Sequence, residues 1–167
     1  MEKIKWGIIG PGNIANNFAD GLKGSYSGQL VSIASKSEDR RKNFGDKYDI
    51  HPDFRFDSYE DIINSEHIDA IYISTPHTLH AQWTIKAAGK GKHILCEKPG
   101  AINFNEGKKI IDAVREAGVF YMEGFMYRCH PQIPKLVDII KNKIIGDVIS
   151  VETSFGFDMG KTIPDHL

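Results

Sequence analysis

A glycine-rich turn near the start of the chain separates an apolar run from an amphipathic segment. Gly10 and Gly12 follow the apolar residues 6–9 and precede residues 14–22, where apolar side chains recur at helical spacing. Glycines at such a strand-to-helix turn permit a tight bend and let the backbone approach a pyrophosphate, whose charge a helix N-terminus favours. The context predicts a βαβ nucleotide-binding unit, with candidate cofactor-binding residues Gly10, Gly12, Asn13 and Ile14.

Short β-type runs alternate with helical patterns through residues 1–123. We predict strands at 6–9, 30–34, 54–56, 70–74, 93–96 and 119–122, with a helix in each interval. The last of these helices begins with Asn103 and Glu106, which resemble a capping box, and ends at Gly118. Such alternation predicts the α/β class, a Rossmann-type parallel sheet with helices on both faces.

The pattern changes after residue 123. An amphipathic helix is predicted over 133–144, and apolar residues alternate with polar ones over 149–157. A strand at 149–157 needs a sheet to lie on, and the ten residues that follow are too few to supply one. We therefore expect a nucleotide-binding domain at 1–123 and the truncated start of a second α/β domain at 124–167, with inefficient turnover by this chain alone.

Composition and net charge limit the classes of molecule that the chain is expected to bind. The chain is 41% hydrophobic and 26% charged, with a formal net charge of −1, so we expect a soluble protein that binds small molecules rather than nucleic acid or membranes. Cys96 and Cys129 are the two cysteines, and their spacing is not that of metal ligands. We predict a reducing, cytoplasmic location and no metal site.

The end of the second predicted strand governs the choice between NAD and NADP. The residues there are Ser35, Lys36 and Ser37, with Arg40 one helical turn further on. A hydroxyl and two cations suit a 2′-phosphate, which favours NADP and leaves NAD open. Alternatively, Ser37 is only a helix N-cap and the two cations are solvated.

Two further loops follow predicted strands and reach the same edge of the sheet. Thr75, Pro76, His77 and His80 follow the strand at 70–74, and all four are candidate cofactor-binding residues. His80 contacts the cofactor or is purely structural.

The second loop holds Glu97, Lys98 and Pro99, after the strand at 93–96. Pro99 restricts Lys98 to extended geometry, and an ammonium there can orient a substrate oxygen and stabilise negative charge. Lys98 is the candidate catalytic residue and, with Glu97, a candidate cofactor-binding residue. The alternative is a surface lysine paired with Glu97. Arg128 reaches cofactor or substrate, or else forms an interdomain salt bridge.

In order and spacing, these motifs resemble the Gfo/Idh/MocA oxidoreductases. The resemblance covers the whole chain: the glycine turn, Thr75 and Pro76 with His80, the Glu97 to Pro99 motif, and the run from Met122 through Arg128. The run over 122–131 is most similar to the trans-1,2-dihydrobenzenediol dehydrogenase and D-xylose dehydrogenase (NADP) branch.

The resemblance implies hydride transfer between NAD(P) and a sugar, polyol or cyclic alcohol. It also implies that Lys98 assists a tyrosine or histidine in a later glycine-rich motif, which this chain lacks, and that the second domain makes a homo-oligomer contact. A non-catalytic, cofactor-sensing regulatory module is the alternative function. A methyltransferase or another Rossmann enzyme would share the glycine turn but leaves the Glu97 to Pro99 motif unexplained.

Overall fold

A six-stranded parallel sheet organises the computed structural model, which describes residues 2–156. In chain order its strands are β1 (Ile4–Ile9), β2 (Gly28–Ala34), β3 (Arg55–Phe56), β4 (Ala70–Ile73), β5 (His93–Cys96) and β6 (Tyr121–Glu123). The helices of the described chain are α1 (Asn13–Lys23), α2 (Glu38–Lys47), α3 (Tyr59–Asn64), α4 (His80–Ala88), α5 (Phe104–Ala117) and α6 (Gln132–Lys141).

The strand order is β3-β2-β1-β4-β5-β6, so the direction in which strands are added reverses between β1 and β4. In open α/β sheets, ligands bind in the crevice outside the carboxyl ends of the strands at such a reversal. The predicted Rossmann-type sheet is confirmed, and its topology places the crevice beside the ends of β1 and β4.

Apolar side chains cover both faces of the sheet. Successive strand residues point to opposite faces, so Ile71 and Ile73 of β4 join one core cluster while Tyr72 joins the other. The first cluster includes residues of α3, α4 and α5, and the second includes residues of α1 and α2. Helices therefore lie on both faces, as predicted, which explains why β4 is buried along its whole length.

Local signals set the ends of several helices. The Asn103 side chain accepts a 3.0 Å hydrogen bond from the Glu106 N–H at the start of α5. The helix ends at Gly118, whose φ of 64° is left-handed, a conformation that glycine adopts without steric cost. Both ends of α5 therefore agree with the sequence prediction.

The chain divides into two compact units, Met1–Phe125 and Met126–Leu167. Within the second unit, a 3₁₀ turn at Met126–Cys129 precedes α6, and no residue of α6 is buried. Residues 149–156 form no strand, contrary to prediction, and Phe157 lies outside the described residues. The physical reason is that alternation yields a strand only where a neighbouring strand completes the hydrogen-bonded ladder.

A buried lysine ties the start of β5 to the loop between α3 and β4. Lys92 is 9% exposed, and its ammonium donates 2.7 Å hydrogen bonds to the carbonyls of Ser65 and Ile68. Burial lowers the pKa of Lys92, while the nearby Asp69 and Glu66 carboxylates oppose that shift. The ammonium therefore supplies a hydrogen-bond donor to the carbonyl of buried Ile68 and to that of half-buried Ser65.

We expect Lys92→Met to lower the free energy of unfolding by about 1–3 kcal/mol, because both carbonyls lose their donor. Urea unfolding followed by circular dichroism measures the effect. Lys90→Met is the matched control, because Lys90 is exposed and such a substitution changes stability by about 0.5 kcal/mol or less. Equal stabilities of the two variants would contradict this account of Lys92.

Candidate cofactor and active site

The glycine turn after β1 is held against the end of β4. Gly10 has a φ of +92°, and a Cβ there would lie 3.0 Å from the Ser74 carbonyl oxygen. The Ser74 hydroxyl donates a 2.7 Å hydrogen bond to the Gly10 carbonyl. Position 10 therefore needs glycine for both its conformation and its close contact.

Gly12 differs from Gly10, because a Cβ at Gly12 would meet no atom within 4 Å. Gly12 is the N-cap of α1, and within the described chain that helix start has no side-chain cap and no acidic residue in its first turn. Its first N–H groups are thus available to an anion, and the space above Gly12 lets one approach. Asn13 is exposed and Ile14 is half-buried at this start. The turn fits the pyrophosphate of a dinucleotide.

The loop after β2 holds two exposed cations on an ordered backbone. Ser35 is buried, its hydroxyl accepts a hydrogen bond from the Ser37 N–H, and its carbonyl accepts one from Arg41 at 2.6 Å. Ser37 is an N-cap of α2, since its hydroxyl accepts the Arg40 N–H at 3.4 Å. Lys36 and Arg40 are exposed. The N-cap alternative holds for Ser37, and it leaves both cations available.

Tyr59, at the start of α3, also belongs to this region. The Lys36 ammonium lies 6.0 Å from the centre of its ring. Burial raises the pKa of Tyr59, and the positive charge of Arg40 opposes that shift. Tyr59 and Arg41 were not predicted as site residues, because a tyrosine at a helix start and a second arginine in a charged helix carry no distinctive pattern.

Lys98 lies in the loop after β5 and is exposed. Among the described residues its ammonium makes no ion pair or hydrogen bond, so it is not paired with Glu97. The Glu97 carboxylate instead accepts a 2.6 Å hydrogen bond from the Tyr72 hydroxyl. An unpaired ammonium at the carboxyl end of a strand remains available to a ligand in the crevice.

The backbone of the Lys98 loop is held at several points. The Gly100 N–H donates to the Glu123 carboxylate at 2.8 Å, and the Gly124 N–H donates to the Cys96 carbonyl at 2.7 Å. Glu123 was not predicted as a site residue, because its partner lies far away in the sequence, in the loop after a different strand. β6 therefore supports the Lys98 loop from one side.

His80 supports the same loop from α4. Its ring is 1% exposed, with Nδ1 2.8 Å from the Pro99 carbonyl oxygen and Nε2 2.8 Å from that of Thr75. Because both nitrogens face protein carbonyls, the geometry favours the structural alternative for His80 over direct cofactor contact. Pro76 and His77 are exposed on the intervening turn.

Thr75, whose carbonyl faces His80, carries a buried hydroxyl. Thr75 is 8% exposed, and this hydroxyl has no hydrogen-bond partner among residues 2–156. A buried hydroxyl without a partner is costly, so a polar ligand at the end of β4 would satisfy it.

Neither a cysteine nucleophile nor a metal site is found among the described residues. Burial raises the pKa of the Cys96 thiol to about 12, which disfavours a thiolate nucleophile. Over residues 2–156, no group of His, Cys, Asp and Glu side chains could hold a metal ion.

None of the helices in that range is long and apolar enough to cross a membrane.

The predicted site residues of the first unit come together at the ends of neighbouring strands. The strands β2, β1, β4 and β5 are adjacent in the sheet, and each is followed by one predicted loop. Arg128 lies in the 3₁₀ turn Met126–Cys129 of the second unit, and its role stays a prediction.

The two turn glycines should respond differently to alanine. We expect Gly10→Ala to lower the free energy of unfolding by about 1–3 kcal/mol, from left-handed strain and contact with Ser74. Gly12→Ala should change it by about 0.5 kcal/mol or less, because its Cβ would meet open space. Urea unfolding of both variants measures the difference, and equal losses would contradict the geometry described for the turn.

Comparison with known proteins identifies the relatives of this chain. A family model described as "Oxidoreductase family, NAD-binding Rossmann fold" (GFO_IDH_MocA) matches residues 4–125. The trans-1,2-dihydrobenzene-1,2-diol dehydrogenase of Xenopus tropicalis is 33% identical over 159 residues, which cover 94% of this chain and 48% of that protein. The D-xylose 1-dehydrogenase (NADP(+)) 2 of Haloferax volcanii is 34% identical, with coverage of 92% and 46%.

A solved structure agrees with these relatives. KijD10, a 3-ketoreductase from Actinomadura kijaniata in complex with NADP, superposes with a TM-score of 0.78 and 31% identity, over 87% of this chain and 46% of that one. The chain spans about half the length of the curated relatives it matches. The family model covers most of the chain, and the predicted resemblance is confirmed: the chain belongs to the Gfo/Idh/MocA family of oxidoreductases with an NAD-binding Rossmann fold.

Proposed function

We propose that this chain binds NADP and presents Lys98 for hydride transfer with a sugar, polyol or cyclic alcohol. The observation that carries the proposal is that the Lys98 ammonium, at the end of β5 on the crevice that the glycine turn also borders, has no partner among residues 2–156. The named relatives, a diol dehydrogenase and a D-xylose dehydrogenase, support the substrate class. When bound, a nicotinamide cofactor supplies the hydride acceptor or donor.

Each loop of the crevice has a separate task in this proposal. The N–H groups at the start of α1 hold the pyrophosphate above Gly12, and Lys36 and Arg40 bind the 2′-phosphate. The first three strands form one mononucleotide-binding half and the last three form the other, so the Lys98 loop borders the nicotinamide half. The Lys98 ammonium orients the substrate oxygen there and stabilises its negative charge.

The second unit carries the remaining parts of the proposal. Leu136, Val137 and Ile140 on one side of α6 are 48%, 39% and 42% exposed, and a homo-oligomer contact would cover them. Arg128 contacts the cofactor or substrate in this proposal.

Cys96 and Cys129 are free thiols, which supports a reducing, cytoplasmic setting.

Calorimetric titration with NADPH and NADH at one fixed ionic strength tests cofactor binding. We expect NADPH to bind at least about tenfold more tightly, a difference of about 1.4 kcal/mol. Replacing Lys36 and Arg40 together by methionine should abolish that preference, because charge-assisted bonds to the 2′-phosphate are lost. Gly12→Ala should weaken both cofactors alike. Lys42→Met is the control, since Lys42 is an exposed cation of α2 outside the loop. If neither cofactor binds, the proposal fails.

The catalytic role of Lys98 is tested by NADPH formation from NADP in the complete protein, with D-xylose and trans-1,2-dihydrobenzene-1,2-diol as trial substrates. We expect Lys98→Met to lower kcat by about 100-fold or more, the size of a lost acid–base contribution. Lys108→Met is the control, because Lys108 is an exposed lysine on α5 that pairs with Asp112. Unchanged kcat in Lys98→Met would contradict the catalytic role of Lys98, whereas cofactor binding without turnover by the unsubstituted protein would favour the non-catalytic, cofactor-sensing module.

A further inference from the structure

A hydrogen bond from β4 to the residue that follows β5 lies directly beside Lys98. Tyr72 of β4 is aligned with Leu95 of β5, so Glu97, two residues beyond Leu95, lies on the same side of the sheet as Tyr72. The Tyr72 hydroxyl donates a 2.6 Å hydrogen bond to Glu97 Oε1. The register of the two strands therefore brings the phenol to the residue that precedes Lys98.

The Tyr72 ring is held rigidly by packing against α1. The residue is 2% exposed, and its ring stacks on Phe18 of α1 with a centroid distance of 4.1 Å and an interplanar angle of 24°. Burial raises the pKa of Tyr72, and so does the adjacent Glu97 carboxylate. The phenol consequently remains a neutral hydrogen-bond donor in a fixed position.

Glu97 is fixed from two other directions. Its N–H donates to the Ile73 carbonyl at 2.9 Å, which continues the pairing of β4 with β5. A Cβ on Gly124 would lie 3.2 Å from Glu97 Oε1, so the carboxylate packs closely against that backbone. The next residue, Lys98, has none of these restraints on its side chain.

We propose that Tyr72 is a positioning residue that acts through Glu97 to keep Lys98 at the nicotinamide end of the crevice. The inference rests on the proposed function, because it assigns Tyr72 a role in placing the same ammonium. The bond connects Phe18 on the pyrophosphate-binding helix, through Tyr72, to the Lys98 loop. Glu97 then supports the loop from the sheet rather than binding the cofactor with its carboxylate.

The choice of residue at position 72 is consistent with this role. Phenylalanine would fill the same volume between the sheet and α1 without burying a hydroxyl. A buried hydroxyl is costly unless it is hydrogen-bonded, and here the bond goes to a charged acceptor. The hydroxyl therefore adds a directional contact to a ring that packing alone would already hold.

Tyr72→Phe tests the proposal, because it removes the hydroxyl and keeps the ring. We expect calorimetry to show NADPH affinity lowered about tenfold, while adenosine 2′,5′-bisphosphate, which lacks the nicotinamide half, binds within about twofold of the unsubstituted chain. In a Lys98→Ala background, Tyr72→Phe should have little further effect, since residues that act through one contact are not additive.

Tyr48→Phe is the matched control. The Tyr48 hydroxyl is also in the core on the α1 side, and it bonds to the carbonyl and side-chain oxygens of Asn16 at 3.1 and 2.9 Å. Its loss should leave the ratio of the two affinities unchanged. If the ratio of the two affinities is the same in Tyr72→Phe and Tyr48→Phe, the proposal is overturned, because the hydrogen bond from Tyr72 to Glu97 would then serve stability alone.

Two variants of Glu97 decide the matter independently of how well Tyr72→Phe folds. Glu97→Gln keeps an oxygen that accepts the phenol and should preserve the affinity ratio, whereas Glu97→Ala should reproduce the loss in NADPH affinity. Equal ratios for these two variants would also overturn the proposal. If the unsubstituted chain binds neither ligand, the proposed function itself fails. If it binds NADPH and the variants leave the ratio of the NADPH and adenosine 2′,5′-bisphosphate affinities unchanged, this inference alone fails.

Discussion

Parallel pairing of β1 with β4 is the constraint on which the site depends. These strands are distant in the chain, yet their pairing puts the glycine turn against Ser74 and allows the close contact that excludes a side chain at Gly10. Because strand order reverses at this pair, the loops on either side separate and leave a crevice. Apolar residues on both faces of the sheet hold the pairing in place, since the central strands bury one set of side chains under α1 and α2 and the other under α3 to α5.

The Lys98 loop shows how a side chain can be placed by restraining the residues beside it. His80 holds the Pro99 carbonyl, Glu123 holds the Gly100 N–H, and Tyr72 holds the Glu97 carboxylate, while the Lys98 ammonium itself has no partner in the described chain. A rigid frame around an unpaired ammonium lowers the entropy that must be lost when a ligand binds. The loop after β2 follows the same arrangement, because Ser35 and Arg41 order its backbone and leave Lys36 and Arg40 exposed.

Local patterns predicted most of the first unit. Both ends of α5 could be placed from Asn103, Glu106 and Gly118, and the buried apolar run at β4 was recognised because strands covered on both faces lack alternation. The candidate loops were found because each follows a strand. Alternation at 149–156 was misleading, since it describes a side-chain pattern and not a partner strand. His80 was predicted either to contact the cofactor or to be structural, but its burial between two carbonyls could not be read from one histidine at a helix start.

The sequence by itself determined the class of fold, the positions of the loops and the residue types available to a dinucleotide, because turns, caps and periodicity depend on neighbours within a few residues. Only the tertiary structure decided which of those residues meet. Ser74 bonds to Gly10 across 64 residues, Tyr72 to Glu97 across 25, and Gly100 to Glu123 across 23. These contacts follow from strand order and register, which arise when the whole sheet buries its two faces, so no local segment specifies them.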